Sequence, residues 1–463
     1  MNTLIAITGL GVLCLLFEIL NFRKAIIPFT IVGLLGVLAL IVCEYTHPGI
    51  YANAIVEDKF NMMFDTKFSL AFSGLFTILT IFLVAMADDF YKNHPTKLSD
   101  FIAIKIFLLA GAVAMVSFGN LSMFFLGIEI LSISLYILAA SDRLNLKSNE
   151  AGMKYFLMGS FASGFILFGI CLIYGATGSF DVAEIYELSQ SELIPGWFFI
   201  GIILMIIGML FKIAAVPFHF WAPDVYEGSP ALTTATMSTL TKIVAVAALF
   251  KLASGLNANV SPSFDYVIAT VAMLSMTVGN FMALKQDNVK RMLAFSGVSH
   301  AGFMLMALFS LSTASGILLY YTAAYALAGI AAFAVILYVC RNKGNEAILN
   351  FNGLGKTNPL MAAILTAALL SMAGIPIFAG FFGKFMLFTQ TIKAGYLAVV
   401  IVAVVNSIVS VGYYFKLILA MYTKEANEET QKVPFAFYAV AVVSIGLNIV
   451  IGLFPSLVTD LLI

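Results

Sequence analysis

Uninterrupted apolar runs of about 18 residues or more recur from one end of this chain to the other, and that repetition restricts the fold more than any other feature. A helix of this length crosses about 30 Å of hydrocarbon with its backbone N–H and C=O groups bonded internally, as lipid requires. None of the runs carries the polar stripe that a helix of a soluble protein turns toward water. Composition removes the soluble alternative. Of 463 residues, 62% are hydrophobic and 10% charged, against about 25% charged in an average soluble domain. The sequence therefore predicts an all-α polytopic integral membrane protein. Its formal net charge is zero, so nothing points to nucleic acid as a partner. Cys14, Cys43, Cys171 and Cys340 lie in or at the ends of apolar runs without paired spacing, and they read as small packing residues. The first run, from Leu4, has no basic leader or small-residue cleavage site, so it reads as a retained span.

Fourteen spans are predicted, beginning near Leu4, Ala25, Phe68, Phe101, Leu121, Met153, Trp197, Leu232, Tyr266, Met292, Ile317, Leu360, Tyr396 and Phe435. With both termini outside, the inner loops collect most of the 24 Lys and Arg, including Arg23, Lys92, Lys97, Arg143, Lys290, Arg291 and Arg341. The outer loops keep Lys59, Lys67, Lys251 and Lys393. This asymmetry is the positive-inside pattern, and it favours that orientation.

Charged side chains also fall inside the runs. Glu129, Lys154, Lys212, Lys242 and Lys384 would each cost about 2.5–3.5 kcal/mol if turned toward lipid. They must face the protein interior, pair with one another or lose their charge. A desolvated lysine holds its proton less firmly, and a nearby carboxylate reverses the effect, so a change of pairing changes protonation. This is the chemistry of a proton relay. A structural ion pair is the alternative for Glu129, Lys212, Lys242 and Lys384, and Lys154 has snorkelling from a helix end as its own alternative. Lys105 and Lys416, near the inner ends of their runs, are expected to snorkel to the headgroups. Glu18 is left between a structural contact and a subunit interface. His219 follows Lys212 by two helical turns, but Pro217 intervenes and breaks the hydrogen-bond ladder. A membrane tolerates such a break where side chains or water satisfy the freed groups.

A duplication is visible in short matches. Lys212 to Pro217, KIAAVP, aligns with Ser371 to Pro376, SMAGIP, and Phe250-Lys251-Leu252 aligns with Phe415-Lys416-Leu417. Each copy holds five spans, and an odd number inverts the second copy in the bilayer. The expectation is two inverted five-helix repeats, each with a discontinuous helix, as in many transporters. The corresponding division is 1–98, an N-terminal three-helix segment; 99–257 and 258–425, two repeats each forming a half-channel; and 426–463, a C-terminal helix.

Val216 to Pro230, VPFHFWAPDVYEGSP, preceded by Phe211 and Lys212, resembles the signature of the antiporter-like membrane subunits of respiratory complex I. Glu129 in FLGIEILSISLYIL, Lys154 in KYFLMGSFASG, the stretch GNFMALKQDNVKRMLAFSGVSHAG around Asn280, and Gly374 to Lys384 in GIPIFAGFFGK extend the likeness over most of the chain. The resemblance implies proton translocation through two linked half-channels in the membrane arm of an NADH:quinone oxidoreductase. It implies that Glu129 pairs with Lys212, that Lys242 is the central relay lysine, that His219 and Lys154 are accessory relay groups, and that Lys384 serves the exit side. Ser371 and Ser407 take the places of Lys212 and Lys242 in the second repeat, and His300 is placed near the counterpart of Glu129.

No Gly-rich phosphate loop, cysteine cluster or haem-type histidine pair is present in the sequence. NADH, flavin, iron–sulfur clusters and quinone are therefore assigned to partner subunits, with no cofactor in this chain. The expected partners are the other membrane-arm subunits and the lipid of a bacterial inner (plasma) membrane. The rival function is a subunit of a multisubunit cation/proton antiporter, which shares the glutamate and lysines; the VPFHFWAPDVYEGSP wording argues against it. A membrane subunit with no transport role is a further rival, and it leaves the buried charges without a purpose.

Overall fold

The computed structural model describes residues 2–20, 22–47, 58, 60–91, 98–190, 194–256, 262–341, 343–426 and 432–462. Lys59, Lys92 and Lys97, and the side chains of Glu18 and Arg23, lie outside the described residues. Eleven helices are long and apolar enough to cross a membrane, and three shorter apolar helices accompany them. In chain order the spans are Asn2–Ile19, Ile26–Thr46, Lys67–Ala85, Leu98–Ser117, Leu121–Ala139, Leu146–Thr177, Trp197–Lys212, Ala231–Gly255, Pro262–Leu284, Val289–Ser310, Ser315–Val339, Pro359–Ala373, Leu397–Thr423 and Phe435–Leu453. Each of the fourteen expected starts falls on or within a few residues of one of them. The sixth differs most, because its helix begins at Leu146 rather than near Met153. Asn145 sets that start by accepting the Lys147 N–H on its side chain, which satisfies one of the unbonded donors at a helix end.

The seventh and twelfth spans are broken. After Lys212 the chain leaves the helix, Ala214 takes a positive φ of 57°, and a second piece, Trp221–Gly228, continues the path. After Ala373, Gly374 and Ile377 take φ of 88° and 89°, and Ala379–Lys393 forms the second piece. At each break side chains reach the exposed backbone. The Phe211 carbonyl accepts Trp221 Nε1 at 3.0 Å, and the Val216 N–H donates to Ser275 Oγ at 2.9 Å. The Ala373 carbonyl accepts Lys384 Nζ at 2.9 Å. These contacts provide what hydrocarbon cannot.

The fourth to eighth spans and the ninth to thirteenth share one packing plan. Within each set the first helix packs on the second and on the fifth, and the third packs on the broken fourth. The match extends to single residues. A Cβ added to Gly111 would stand 2.7 Å from Leu131 N and 2.9 Å from Gly127 O, and one added to Gly279 would stand 2.7 Å from Ser299 N and 2.8 Å from Phe295 O. The two first helices thus meet their neighbours backbone to backbone at counterpart points. The Phe-Lys-Leu triplets also do one job twice. Lys251 Nζ donates to the Val116 carbonyl at 2.7 Å, and Lys416 Nζ to the Gln286 carbonyl at 2.9 Å and to Asp287 Oδ1 at 2.8 Å. Each lysine therefore closes the carbonyl end of the first helix in its own set, where a cation is favourable.

Candidate proton path

Lys212 ends its half-helix and is buried between three helices. Its Nζ donates to Ser132 Oγ at 2.7 Å and Ser163 Oγ at 3.4 Å, and lies 5.9 Å from the Tyr136 ring centroid. Glu129 stands one turn before Ser132, and its Oε1 is buried without a hydrogen-bond partner. The Lys212 ammonium is held by the two serines. The inferred Glu129–Lys212 pair is thus not a direct ion pair in this structure: both partners are present and a hydroxyl receives the ammonium. His219 lies within the break, between Lys212 and Trp221, 6% exposed, with Nδ1 buried and unbonded.

Lys242 follows a π-helical turn, Met237–Thr241, a helical irregularity that frequently accompanies functional sites. Its Nζ is buried without a hydrogen bond. It lies where a Gly297 side chain would be, 2.7 Å from an added Cβ, with the Tyr325 hydroxyl 3.3 Å from the same point. Glu129 lies two residues after Gly127, and two residues after its counterpart Phe295 is Gly297. The packing therefore places Gly297, and not His300, opposite Glu129. His300 corresponds to Ser132, a turn further along, and short sequence matches do not resolve a one-turn shift along a helix.

His300 is nonetheless central. It is 3% exposed, with Nδ1 2.7 Å from the Tyr321 hydroxyl and Nε2 3.3 Å from that of Tyr414. Its ring centroid lies 4.7 Å from that of Tyr325, and it is within electrostatic reach of both Lys242 and Lys384. Lys384 caps the Ala373 carbonyl with its Nζ 4.8 Å from the Phe303 ring centroid, and the neighbouring Gly383 packs on Tyr321. Lys242, His300 and Lys384 thus form one contiguous buried series. No hydrogen bond joins Lys212 to Lys242 among the described residues.

Lys154 lies elsewhere. Its Nζ is 2.7 Å from Glu150 Oε1 and 3.3 Å from Asp224 Oδ2, while Arg291 Nη1 is 2.7 Å from Asp224 Oδ1 and 3.1 Å from Glu227 Oε2. These groups line a cleft of about 160 Å³. The network clasps the half-helix Trp221–Gly228 to the tenth span. Lys290 strengthens the clasp, donating to the Ser229 carbonyl at 2.9 Å and pairing with Glu346 at 2.9 Å. Lys105 departs from expectation: it is 2% exposed, with its Nζ buried and unbonded. The fourth span begins at Leu98, so Lys105 is two turns inside it and does not snorkel. Lys416 does reach the end of its helix packing, with its side chain 39% exposed.

Residues 119–410 match the family described as NADH:quinone oxidoreductase/Mrp antiporter, TM. The chain is 72% identical over its full length, and that of the relative, to NADH-quinone oxidoreductase subunit N of Flavobacterium johnsoniae. The subunit of that name from Cytophaga hutchinsonii is 42% identical over all of this chain and 99% of its own length. Among solved structures, respiratory complex I from Thermus thermophilus contains a chain that is 30% identical with a TM-score of 0.83, covering 99% of this chain and 98% of that one. A chain of the Mrp complex from Dietzia sp. shares the fold alone, with a TM-score of 0.87 at 21% identity over 99% of this chain and 95% of that one. The fold and the buried lysine series define an antiporter-like membrane subunit. This chain belongs to the NADH:quinone oxidoreductase/Mrp antiporter family, among the subunit N proteins of NADH-quinone oxidoreductase.

Proposed function

We propose that this chain translocates protons in the membrane arm of an NADH:quinone oxidoreductase, driven by quinone reduction in its partner subunits. The observation that carries this reading is the set of ionisable side chains enclosed within an apolar helical bundle: Lys212, Lys242, His300 and Lys384 are each less than 10% exposed. A charge so placed is costly, and ionisable groups kept inside a membrane bundle mark ion pathways and proton relays. Glu129, Lys212 and His219 serve the first half-channel, Lys242 is central, and His300 and Lys384 lead outward. Lys154, with Glu150 and Asp224, serves the inner mouth. In this reading the division at 99–257 and 258–425 separates the half-channels, both termini face the periplasm, and the chain lies in the bacterial inner membrane against other membrane-arm subunits. Flavin, iron–sulfur clusters and quinone belong to those partners. The decisive measurement is the proton-to-electron ratio of the assembled complex in vesicles with Lys212 and Lys242 neutralised. An unchanged ratio in both variants overturns the reading, and a sodium-dependent flux without NADH oxidation points to the antiporter alternative.

A further inference from the structure

We infer that Tyr414 and Tyr321 are the two proton doors of His300, with Ser296 feeding the first. The inference rests on the proposed path and adds its chemical connectivity. A neutral imidazole has one nitrogen that donates and one that accepts. Both nitrogens of His300 face tyrosine hydroxyls, Nδ1 that of Tyr321 and Nε2 that of Tyr414. The ring is 3% exposed, so a proton reaching or leaving it passes through one of those hydroxyls. Tyr414 OH is in turn 2.5 Å from Ser296 Oγ. Ser296 adjoins Gly297, whose open face takes the Lys242 ammonium, and Tyr321 packs on Gly383 beside Lys384. Hydrogen bonds join four of the groups in the order Ser296, Tyr414, His300, Tyr321, and the inferred route places Lys242 before them and Lys384 after.

The transfer balances without leaving charge behind. In the resting array Ser296 O–H donates to Tyr414, Tyr414 O–H to Nε2, and Nδ1–H to Tyr321. Lys242 Nζ makes no hydrogen bond at rest, so the route requires its ammonium to swing to Ser296 Oγ. The proton it delivers there shifts each bridging hydrogen by one bond, and Tyr321 releases its own hydroxyl proton to a neutral Lys384 amine. Lys242 ends neutral, Lys384 ends charged, and every hydrogen bond in the array has reversed. Rotation of the hydroxyls and tautomerisation of His300 then restore the starting state.

The test uses the assembled complex in proteoliposomes, measuring quinone-linked NADH oxidation and proton uptake. Tyr414→Phe and Tyr321→Phe keep the rings and remove the hydroxyls. Each is expected to lower coupled turnover by about tenfold or more, a positioned proton-transfer group contributing typically about 10²–10⁴-fold. Ser296→Ala is expected to fall similarly and Ser296→Thr, which restores a hydroxyl, to recover. Tyr320→Phe is the control, because that hydroxyl donates to the Ile451 carbonyl at 3.0 Å, off the route, and wild-type turnover is expected. Full pumping in Tyr414→Phe with Lys384→Leu impaired overturns the doors and leaves the path. Full pumping in Lys384→Leu and Lys242→Ala overturns the path itself.

Discussion

The two broken helices share a backbone plan and distribute charge differently. At the first break a lysine precedes the gap: Lys212 ends the half-helix, held by Ser132 and Ser163, with Glu129 one turn away. At the second break Ser371 takes that place, donating to Asn448 Oδ1 at 2.9 Å, and the lysine comes after the gap, as Lys384 on the Ala373 carbonyl. The carboxylate has gone too, since Gly297 stands opposite Glu129 and leaves its space to Lys242. In the first half a cation is tuned by an anion and hydroxyls. In the second a cation is tuned by a half-helix end, whose exposed carbonyls carry partial negative charge, and by aromatic rings. The same frame therefore supports two ways of adjusting a buried amine.

The largest contrast is expected between Lys212→Ala and its counterpart Ser371→Ala. Removing Lys212 takes from Ser132 and Ser163 their charged donor, a hydrogen bond worth about 1.5–3 kcal/mol, and coupled NADH oxidation should drop by at least about tenfold. Ser371→Ala should stay near wild type. Equal activity in both variants at equal assembly would break the comparison. Lys242→Arg is next: arginine keeps the charge but holds its proton at any accessible pH, and it must enter space that Gly297 leaves to a slender ammonium. Pumping should be impaired nearly as much as in Lys242→Ala, and a full proton-to-electron ratio in Lys242→Arg would make Lys242 a fixed charge.

Lys384 tests the second half. Lys384→Glu keeps a group that can carry a proton and should retain measurable pumping, whereas Lys384→Leu should lose more; identical ratios in Lys384→Leu and wild type would remove it from the path. Ser132→Ala removes one hydrogen bond to a charged group, worth about 1.5–3 kcal/mol. A fall of several-fold in turnover is expected, with a shifted pH dependence that Ser132→Thr corrects. The smallest effects belong to Lys251→Met and Lys416→Met, which unseat equivalent helix ends. Each should lower thermal stability by about 1 kcal/mol or less without altering the proton-to-electron ratio, as read by melting of the purified complex and by pumping.

Helix number and both breaks were readable in the sequence because each is a local property: apolar length marks a span, and Pro217, Gly374 and Pro376 mark the gaps. The lysines at stake were readable because ionisable groups in apolar runs are conspicuous. What the runs conceal is rotation about the helix axis. The tenth span is buried on every face, so its sequence does not show that His300 meets Tyr321 from the eleventh span and Tyr414 from the thirteenth. Ser132 and Ser163, which hold Lys212, look like ordinary small residues of membrane helices. Lys105 departs from expectation for a related reason, since its depth depends on a helix start at Leu98, ahead of the apolar run that begins near Phe101. Gly297 could not be recognised as a site at all, because its contribution is the room it leaves.

The backbone contacts at Gly111 and Gly279 carry a mechanical consequence. Where two helices touch main chain to main chain, neither slides or rolls against the other without collision, because interiors this dense yield little. The helix bearing Glu129 and the helix bearing His300 are therefore each clamped to a rigid neighbour at the depth of the buried charges. Whatever drives a proton through this bundle has to work within a fixed cage, through rotamers, hydroxyl rotations and the electric field of neighbouring charges. The close approaches at Gly111 and Gly279 thus favour motion of side chains over motion of the helices that carry them.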